Sequence, residues 1–361
     1  MNRRRFLSVS AISLIAHSSP QILFAKRKKD SAQYLLSPAR MLPLPGQTEN
    51  HALVKINLIS GEMSFLPIPF EGHDIIPIKK DQFLWLLTGK KPSPESWLIN
   101  INEMQIKKRI PSSRGLYFYG HSCVVAPDTL CMVEESESEH SQIAIWNIKE
   151  MKKLRNIPIN GSGIHLVLPT TQKNIIAVGL NNMQSKMISK VMFINIESGL
   201  IDHEIKSYSS DALVDHFIMH KKQLFVGFQY TGQEIESLMG LSKLTDKTLT
   251  PLPLPVSLKK SLRSSSLSLA IDKSKTYVYA TTTAKNSHKK AHILKWNYEE
   301  KKLAGFNIFD NTMGLFEKDN VFYFSYNGNA IGKFSSLNTN EQISYQNQNQ
   351  IVEFGSHLKI I

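Results

Sequence analysis

The chain has 361 residues, with 43 Lys and Arg against 30 Asp and Glu, 12 His and two Cys. A hydrophobic share of 42% is ample for a core and excludes a disordered chain, and two cysteines exclude a disulfide-stapled scaffold or a cysteine-built zinc or iron–sulfur cage. No uninterrupted apolar stretch reaches the ~18 residues that a spanning helix needs, which excludes a polytopic integral membrane protein.

The N-terminal residues read as an address. Arg3 and Arg4 form a pair, followed after one free position by Phe6 and Leu7, which is the twin-arginine export pattern. An apolar stretch to Ala16 follows, then a polar break at residues 17–20 and a second apolar piece ending at Ala25. Leu-Phe-Ala fits the small-residue rule for cleavage after Ala25. The expected organisation is a signal peptide over 1–25 and one domain over 26–361, exported to the periplasm. The alternative is an uncleaved leader anchored in the inner membrane, which the basic run Lys26-Arg27-Lys28-Lys29 keeps open. The formal charge of +13, less the three arginines of the leader, leaves +10. These cations are spread through many loops, with no zinc-finger or aromatic RNA-binding signature beside them, so nucleic acid is not expected as a partner.

From Gln33 onward one pattern recurs: a His or small residue, an apolar strand, a turn, a second apolar strand, then two more strands, the last of them polar. The unit opens at Gly72-His73-Asp74, Gly120-His121-Ser122, Gly163-Ile164-His165, Asp215-His216-Phe217, Ser264-Ser265-Ser266 and Thr312-Met313-Gly314. The third strand repeats as well, ending in Asn at Asn57, Asn100, Asn147, Asn195 and Asn297. Equivalent positions 73, 121, 165, 216, 265, 313 and 357 lie 48, 44, 51, 49, 48 and 44 residues apart, the period of WD40/YVTN-type propeller blades. The segment Phe354–Ile361 reads as an orphan copy of the opening strand, fit to complete the sheet begun at Gln33. The expected fold is therefore all-β: a seven-bladed β-propeller of four-stranded antiparallel blades, its ring closed by the last strand pairing into blade 1.

Tyr119-Gly120-His121, Ala126-Pro127-Asp128, the His165 segment, Asp215-His216-Phe217 and Phe228-Gln229-Tyr230-Thr231-Gly232 together resemble the DUF1513 family of exported bacterial propellers of uncharacterised function. The resemblance spans nearly the whole chain after the leader. It implies a twin-arginine leader and, because members are often encoded beside iron-acquisition components, a loose link to iron or metal acquisition. The family's Gly-Ile-Gly-Pro-His-Glu stretch is altered here to Gly161-Ser162-Gly163-Ile164-His165-Leu166, without Pro and with Leu for Glu. Its Thr-Glu-Asn-Asp becomes Val133-Glu134-Glu135-Ser136, and its Asn-Gly-Gly after the next strand becomes Gly179-Leu180-Asn181-Asn182.

Innermost propeller strands line the central channel. The repeat thus predicts a ring made of His73, His121, His165, His216, His357, Ser265 and Met313 at the channel mouth, for a ligand or partner. Imidazole binds Zn, Cu, Fe and Ni, so His73, His121, His165 and His216 are candidate metal ligands; a structural hydrogen-bonding role for the same ring is the other reading. Glu134, Glu135, Glu137 and Glu139 read as a solvated acidic loop that could supply a ligand or base, and His220 as surface. Cys123 and Cys131 lie on paired strands of one blade and are expected to stay reduced. No hydrolase elbow, phosphate-binding loop or His-Glu-x-x-His helix occurs. The expected function is a monomeric binding or scaffold module for a periplasmic protein or small ligand. Alternatives are a metal-dependent hydrolase or lyase using the channel histidines, or a redox accessory protein docking to an electron carrier.

Overall fold

The computed structural model describes residues 33–41, 50–78, 82–90, 92–137, 140–182, 188–231, 235–272, 276–284, 291–309, 312–326, 330–334, 340–343, 352–355 and 357–361. The leader, Lys26–Lys29, Glu139 and most of the Asn/Gln-rich stretch before residue 352 lie outside them. The described unit is built almost wholly of antiparallel strands. The first sheet begins with β1 (Tyr34–Met41), β2 (Asn50–Asn57) and β3 (Met63–Ile68). Four-stranded sheets follow: β4 (Gly72–Pro77), β5 (Leu84–Gly89), β6 (Glu95–Asn100) and β7 (Gln105–Pro111); then β8 (Tyr117–Ala126), β9 (Thr129–Glu135), β10 (Ser141–Asn147) and β11 (Lys152–Pro158); then β12 (Ile164–Pro169), β13 (Ile175–Leu180), β14 (Lys190–Asn195) and β15 (Ile201–Lys206).

An eight-stranded sheet comes next. It consists of two four-strand runs, β16 (Ala212–His220), β17 (Gln223–Tyr230), β18 (Met239–Lys243) and β19 (Thr250–Pro251), then β20 (Leu262–Asp272), β21 (Tyr277–Ala284), β22 (Ala291–Asn297) and β23 (Lys302–Phe309). The runs join through one residue pair, Gln229 with Ser265. The last sheet holds β24 (Thr312–Lys318), β25 (Val321–Tyr326), β26 (Ala330–Phe334) and β27 (Asn340–Ile343). Two short strands, β28 (Val352–Phe354) and β29 (Lys359–Ile360), then pair with β1, setting Ala39 against Phe354 and Leu35 against Ile360. A single turn of helix, α1 (Val256–Ser261), precedes β20 and has no counterpart in the repeating pattern; it follows the alternating prolines 251, 253 and 255, which cannot donate to a sheet ladder.

The burial pattern explains why these segments are strands of this kind. The second strand of a sheet is apolar on both faces, as in β13, whose six residues are all buried, because another sheet covers each side. The fourth strand lies at the perimeter: β7 and β11 expose most of their residues, including Lys107, Lys108, Arg109, Lys152 and Arg155. A good part of the basic charge therefore sits on outer strands, not only in loops, where cations also discourage edge-to-edge pairing.

Apolar side chains seal each sheet to the next. Leu36 and Leu53 pack with Ile75 and Leu87, Leu86 with Val124 and Met132, and Cys131 and Val133 with Ile164 and Val178. Val191 and Phe193 pack with Phe217 and Phe225, and the same cluster continues to Leu269 and Val278. Tyr279 and Ile293 meet Phe322 and Phe324. Finally Tyr323 and Ile331 pack on Leu35, Val54, Phe354 and Ile360, so the packing returns to the sheet where it began. The fold is an all-β propeller of four-stranded antiparallel blades. Among the described residues no helix is long and apolar enough to cross a membrane.

Candidate functional site: five histidines on the inner strands

The inner strands β4, β8, β12, β16, β20 and β24 each contain a register irregularity, and this is what positions the candidate residues. The β4–β5 ladder steps from Gly72/Gly89 to Asp74/Thr88, leaving His73 unpaired. The β12–β13 ladder likewise skips His165, and β16–β17 skips Asp215 and His216. In β8–β9 three residues, Tyr119 to His121, stand in the gap between Phe118/Glu134 and Ser122/Met132. A bulge bends its strand and re-aims the extra side chain, here toward the other bulges. His357 reaches the same place from the break between β28 and β29.

All five imidazoles converge. Ring centroids are 4.6 Å apart for His73 and His121, 4.6 Å for His73 and His357, 4.7 Å for His121 and His357, and 4.7 Å for His165 and His216. The Nε2 atoms of His73 and His121 are 3.1 Å apart. Two buried carboxylates stand behind the rings. Asp74 places Oδ2 3.3 Å from Nδ1 of His121 and Oδ1 4.0 Å from Nδ1 of His357, with Lys359 Nζ at 3.8 Å. Asp215 lies 2.9 Å from Nε2 of His165 and 3.6 Å from Nδ1 of His216. The Nε2 atoms of His216 and His357 are buried without a hydrogen-bond partner.

The electrostatics follow from burial among like groups. Loss of water, then the neighbouring imidazoles, holds His73 and His357 well below the ordinary histidine range. Burial likewise pushes His121 down to about 4, against the opposing pull of Asp74. For His165 burial is outweighed by the Asp215 carboxylate, which raises it. Burial disfavours the charged form of both acids, yet Lys359 and the His121 hydrogen bond hold Asp74 well below its usual value, and His165 and His216 do the same for Asp215. The cluster thus sets three imidazoles disfavoured in their charged form, His73, His121 and His357, beside two anionic carboxylates. Three ligand groups fall within 4.8 Å: His73, His121 and His165; His121, His216 and His357; and His165, Asp215 and His216.

A cavity of about 370 Å³ opens onto this cluster, with Asp74, His121, His216 and His357 on its wall beside Val124, Leu166 and Leu315. A larger groove of about 1160 Å³ runs past Thr170, Phe193, His203 and Thr248 and holds none of the three ligand groups.

The two residues of the predicted ring that are not histidines, Ser265 and Met313, are both off the cavity wall. Ser265 pairs with Gln229 of the preceding run, and the irregularity of β20 that matches the His positions falls at Leu267, between Ser266/Thr282 and Ser268/Thr281. A leucine there offers no donor to the ring. Equal spacing misplaces that position because β20 carries a second register shift, between Leu262 and Ser266. Met313 does occupy a bulge but is off the cavity wall; its carbonyl accepts a 2.9 Å bond from Thr281 Oγ1.

The acidic loop also needs correcting. Glu134 and Glu135 belong to β9 and are buried. Glu134 accepts bonds from Ser113 N at 2.9 Å and Gln142 Nε2 at 2.6 Å and pairs with Lys153, while Glu135 accepts from Ser141 Oγ at 2.8 Å and Gly163 N at 2.9 Å. Their polar partners, rather than solvent, stabilise the charges, so they brace the blade. His220 ends β16, opposite Gln223 and half-buried. Cys123 and Cys131 are cross-strand partners, both buried and not joined in a disulfide. The two carboxylates behind the rings are what sequence reasoning missed. Their signal was local: each is adjacent to a ring histidine, in His73-Asp74 and Asp215-His216.

Among solved structures the chain is similar to Kuenenia stuttgartiensis hydrazine synthase, at 13% identity and a TM-score of 0.59, over 89% of this chain and 99% of that one. It is also similar to the computationally designed Ika8 protein, at 14% identity and a TM-score of 0.47, over 76% of this chain and 74% of that one. At such identities the likeness to the former speaks to the propeller fold alone. No curated protein matches the sequence. A family model described as a protein of unknown function, DUF1513, matches residues 66–361, and with most of the sequence inside that match the chain belongs to the DUF1513 family.

Proposed function

We propose that the protein is an exported, seven-bladed propeller that acts as a binding module, with its ligand site in the axial cavity where the five histidines meet. The observation that carries the reading is the convergence itself: five inner segments each bring one imidazole to a single cluster, His121, His216 and His357 line the cavity beside it, and Nε2 of His216 and of His357 are left there without partners. Buried polar groups in folded proteins are nearly always paired, so an unpaired set facing a cavity points to a missing ligand. Counting the two runs of the eight-stranded sheet as separate blades supports seven, since only the Gln229–Ser265 pair joins them. The pairing of β28 and β29 with β1 supports a ring closed by late residues. Export by the twin-arginine route to the periplasm rests on Arg3, Arg4, Phe6 and Leu7 and the apolar stretch behind them. An enzyme reading has less behind it, because Glu134 and Glu135 are consumed by their own partners and neither lies on the cavity wall.

The test is a thermal-shift screen of divalent cations, carboxylates, phosphates and amines against the parent and a Pro77→Trp variant. Pro77 is exposed at the cavity rim, so the indole fills the entrance without disturbing the core. We expect at least one class to stabilise the parent and to lose its effect in the variant, whose urea midpoint stays unchanged. Ligands that stabilise both proteins equally, or no ligand at all, would remove the axial cavity as the site.

A further inference from the structure

We propose that the axial cluster holds a single late first-row divalent transition-metal ion, built around Nε2 of His121 with Nε2 of His73 as its neighbour. This rests on the reading of the axial cavity as the binding site and specifies its ligand. The first argument is metric. Two imidazole nitrogens each ~2.0–2.1 Å from a tetrahedral zinc-like ion are about 3.3 Å apart, and the His73 and His121 Nε2 atoms already stand at 3.1 Å. His165 completes a three-histidine group with them, all ligand atoms within 4.8 Å.

The second argument concerns what lies behind the ligands. The Asp74 carboxylate at 3.3 Å from Nδ1 of His121 keeps the ring proton on that nitrogen and leaves the Nε2 lone pair for the ion. Carboxylate–histidine pairs of this kind orient and strengthen imidazole ligands in metal centres. Asp215 backs His216 from its Nδ1 side and His165 from its Nε2 side, so the nitrogen that His165 would offer an ion is Nδ1. The two buried negative charges also decide the sign of the ligand. They would repel a phosphate or carboxylate in the same cavity and favour a cation.

The third argument is donor chemistry. Imidazole nitrogens dominate the cluster, and among the described residues no thiolate joins the ligand groups: Cys123, on the cavity wall, faces Cys131 across their own blade. Such a set suits Zn²⁺, Cu²⁺ or Ni²⁺ and is poor for Mg²⁺ or Ca²⁺, which require oxygen. The stoichiometry follows from shared residues. Any two of the three ligand groups have one histidine in common: His121, His165 or His216. Occupying one group therefore strips a ligand from each of the others, so one ion is held, not two or three.

The experiment is isothermal titration of the chelator-stripped full chain with Zn²⁺, Ni²⁺, Mg²⁺ and Ca²⁺, with the bound metal counted by elemental analysis. We expect one equivalent of Zn²⁺ or Ni²⁺ and none of Mg²⁺ or Ca²⁺. His121→Ala and His73→Gln should each weaken Zn²⁺ at least tenfold, and Asp74→Asn by ~10–100-fold, as for other groups behind metal ligands. His140→Ala, an exposed histidine outside the cluster, should leave it unchanged, and circular dichroism with urea unfolding checks that each variant is folded. Zinc that binds the His121→Ala protein as tightly as the parent, or at more than one equivalent, overturns the assignment. A parent that takes no metal overturns it too, while a non-metal ligand blocked by Pro77→Trp in the same preparation would show that the cavity reading survives without it.

Discussion

At the scale of single residues, the position of His73 depends on a residue with no side chain. Gly120 has φ of +98°, and a Cβ built there would lie 2.4 Å from Cδ2 of His73. A methyl group at that point collides with an imidazole that cannot retreat, because His121 and His357 pack against its other sides. Gly115 supplies a matched comparison: φ is +75°, yet nothing lies within 4 Å of its Cβ position. Gly115→Ala should cost only the left-handed backbone term, about 1–2 kcal/mol. Gly120→Ala should cost that and the collision, about 1–3 kcal/mol more. Urea unfolding of the two variants measures the difference; equal losses would mean that His73 is free to move and is not held by its neighbours.

At the scale of elements, the repeated Asn at the end of the third strand has a geometric reason. In five blades its side-chain oxygen accepts backbone N–H bonds from the turn that follows. The partners are Ile59 and Ser60 for Asn57, Asn102 and Glu103 for Asn100, Glu150 for Asn147, Glu197 and Ser198 for Asn195, and Glu299 and Glu300 for Asn297. The residue four positions after each Asn is left-handed: Gly61, Met104, Met151, Gly199 and Lys301. The Asn turn thus sets the entry to the polar outer strand in the same way each time. Lys301, exposed with φ of 52°, carries the left-handed cost without compensating packing. Lys301→Gly should therefore stabilise by about 0.5–1 kcal/mol, the relieved strain less the added freedom of the unfolded chain. Asn195→Ala should destabilise by about 1 kcal/mol, the net worth of the lost side-chain bonds. Chemical denaturation reads both, and shifts of the same sign would refute this account of the turn.

A second device joins elements of different blades. Thr88, on β5, donates through Oγ1 to the Gly120 carbonyl of the next blade at 2.5 Å, and Thr281, on β21, does the same to Met313 at 2.9 Å. In both cases the acceptor belongs to a bulge, whose carbonyls have left the sheet ladder. The Gly120 bulge, which presents His121, is thus stabilised from the neighbouring blade, and only an assembled ring supplies that partner.

At the scale of the whole molecule, burial of the cluster predicts how stability varies with pH in metal-free protein. His73, His121 and His357 have native pKa values depressed below 6.5, that of His121 to about 4, because water is excluded and the other imidazoles, His165 and His216 among them, crowd them. Below pH 6.5 the unfolded chain takes up protons there that the native state refuses, so stability falls as pH drops from 6.5 toward 4. His165 acts oppositely, since its raised value favours the folded state in acid. Asp74 and Asp215, depressed by Lys359 and by the histidines, keep their contribution through this window and lose it only below the ordinary carboxylate range. Three groups outweigh one. The urea midpoint should therefore drop between pH 7 and pH 4.5, and the drop should shrink in His121→Gln; a midpoint that is flat or rises over that range would show the histidines to be hydrated.

The repeat was legible in the residues alone, and with it the strand chemistry, the four-strand unit and the family, because blade-to-blade packing demands apolar residues on both faces of inner strands at every step of the ring. The five histidines were marked there too, since each opens a unit. What those histidines form was settled only by the assembled sheets. A bulge is a mismatch between two strands, invisible in either strand alone, and it is the bulges that turn His73, His165 and His216 to one point and shift the matching place in β20 from Ser265 to Leu267. The roles of Asp74, Asp215 and Glu134 were settled at the same level. All three are buried carboxylates, yet the first two brace imidazoles while the third pairs with Lys153, because the principal partners of each, His121, His165 and Lys153, are supplied by whichever strand lies beside it.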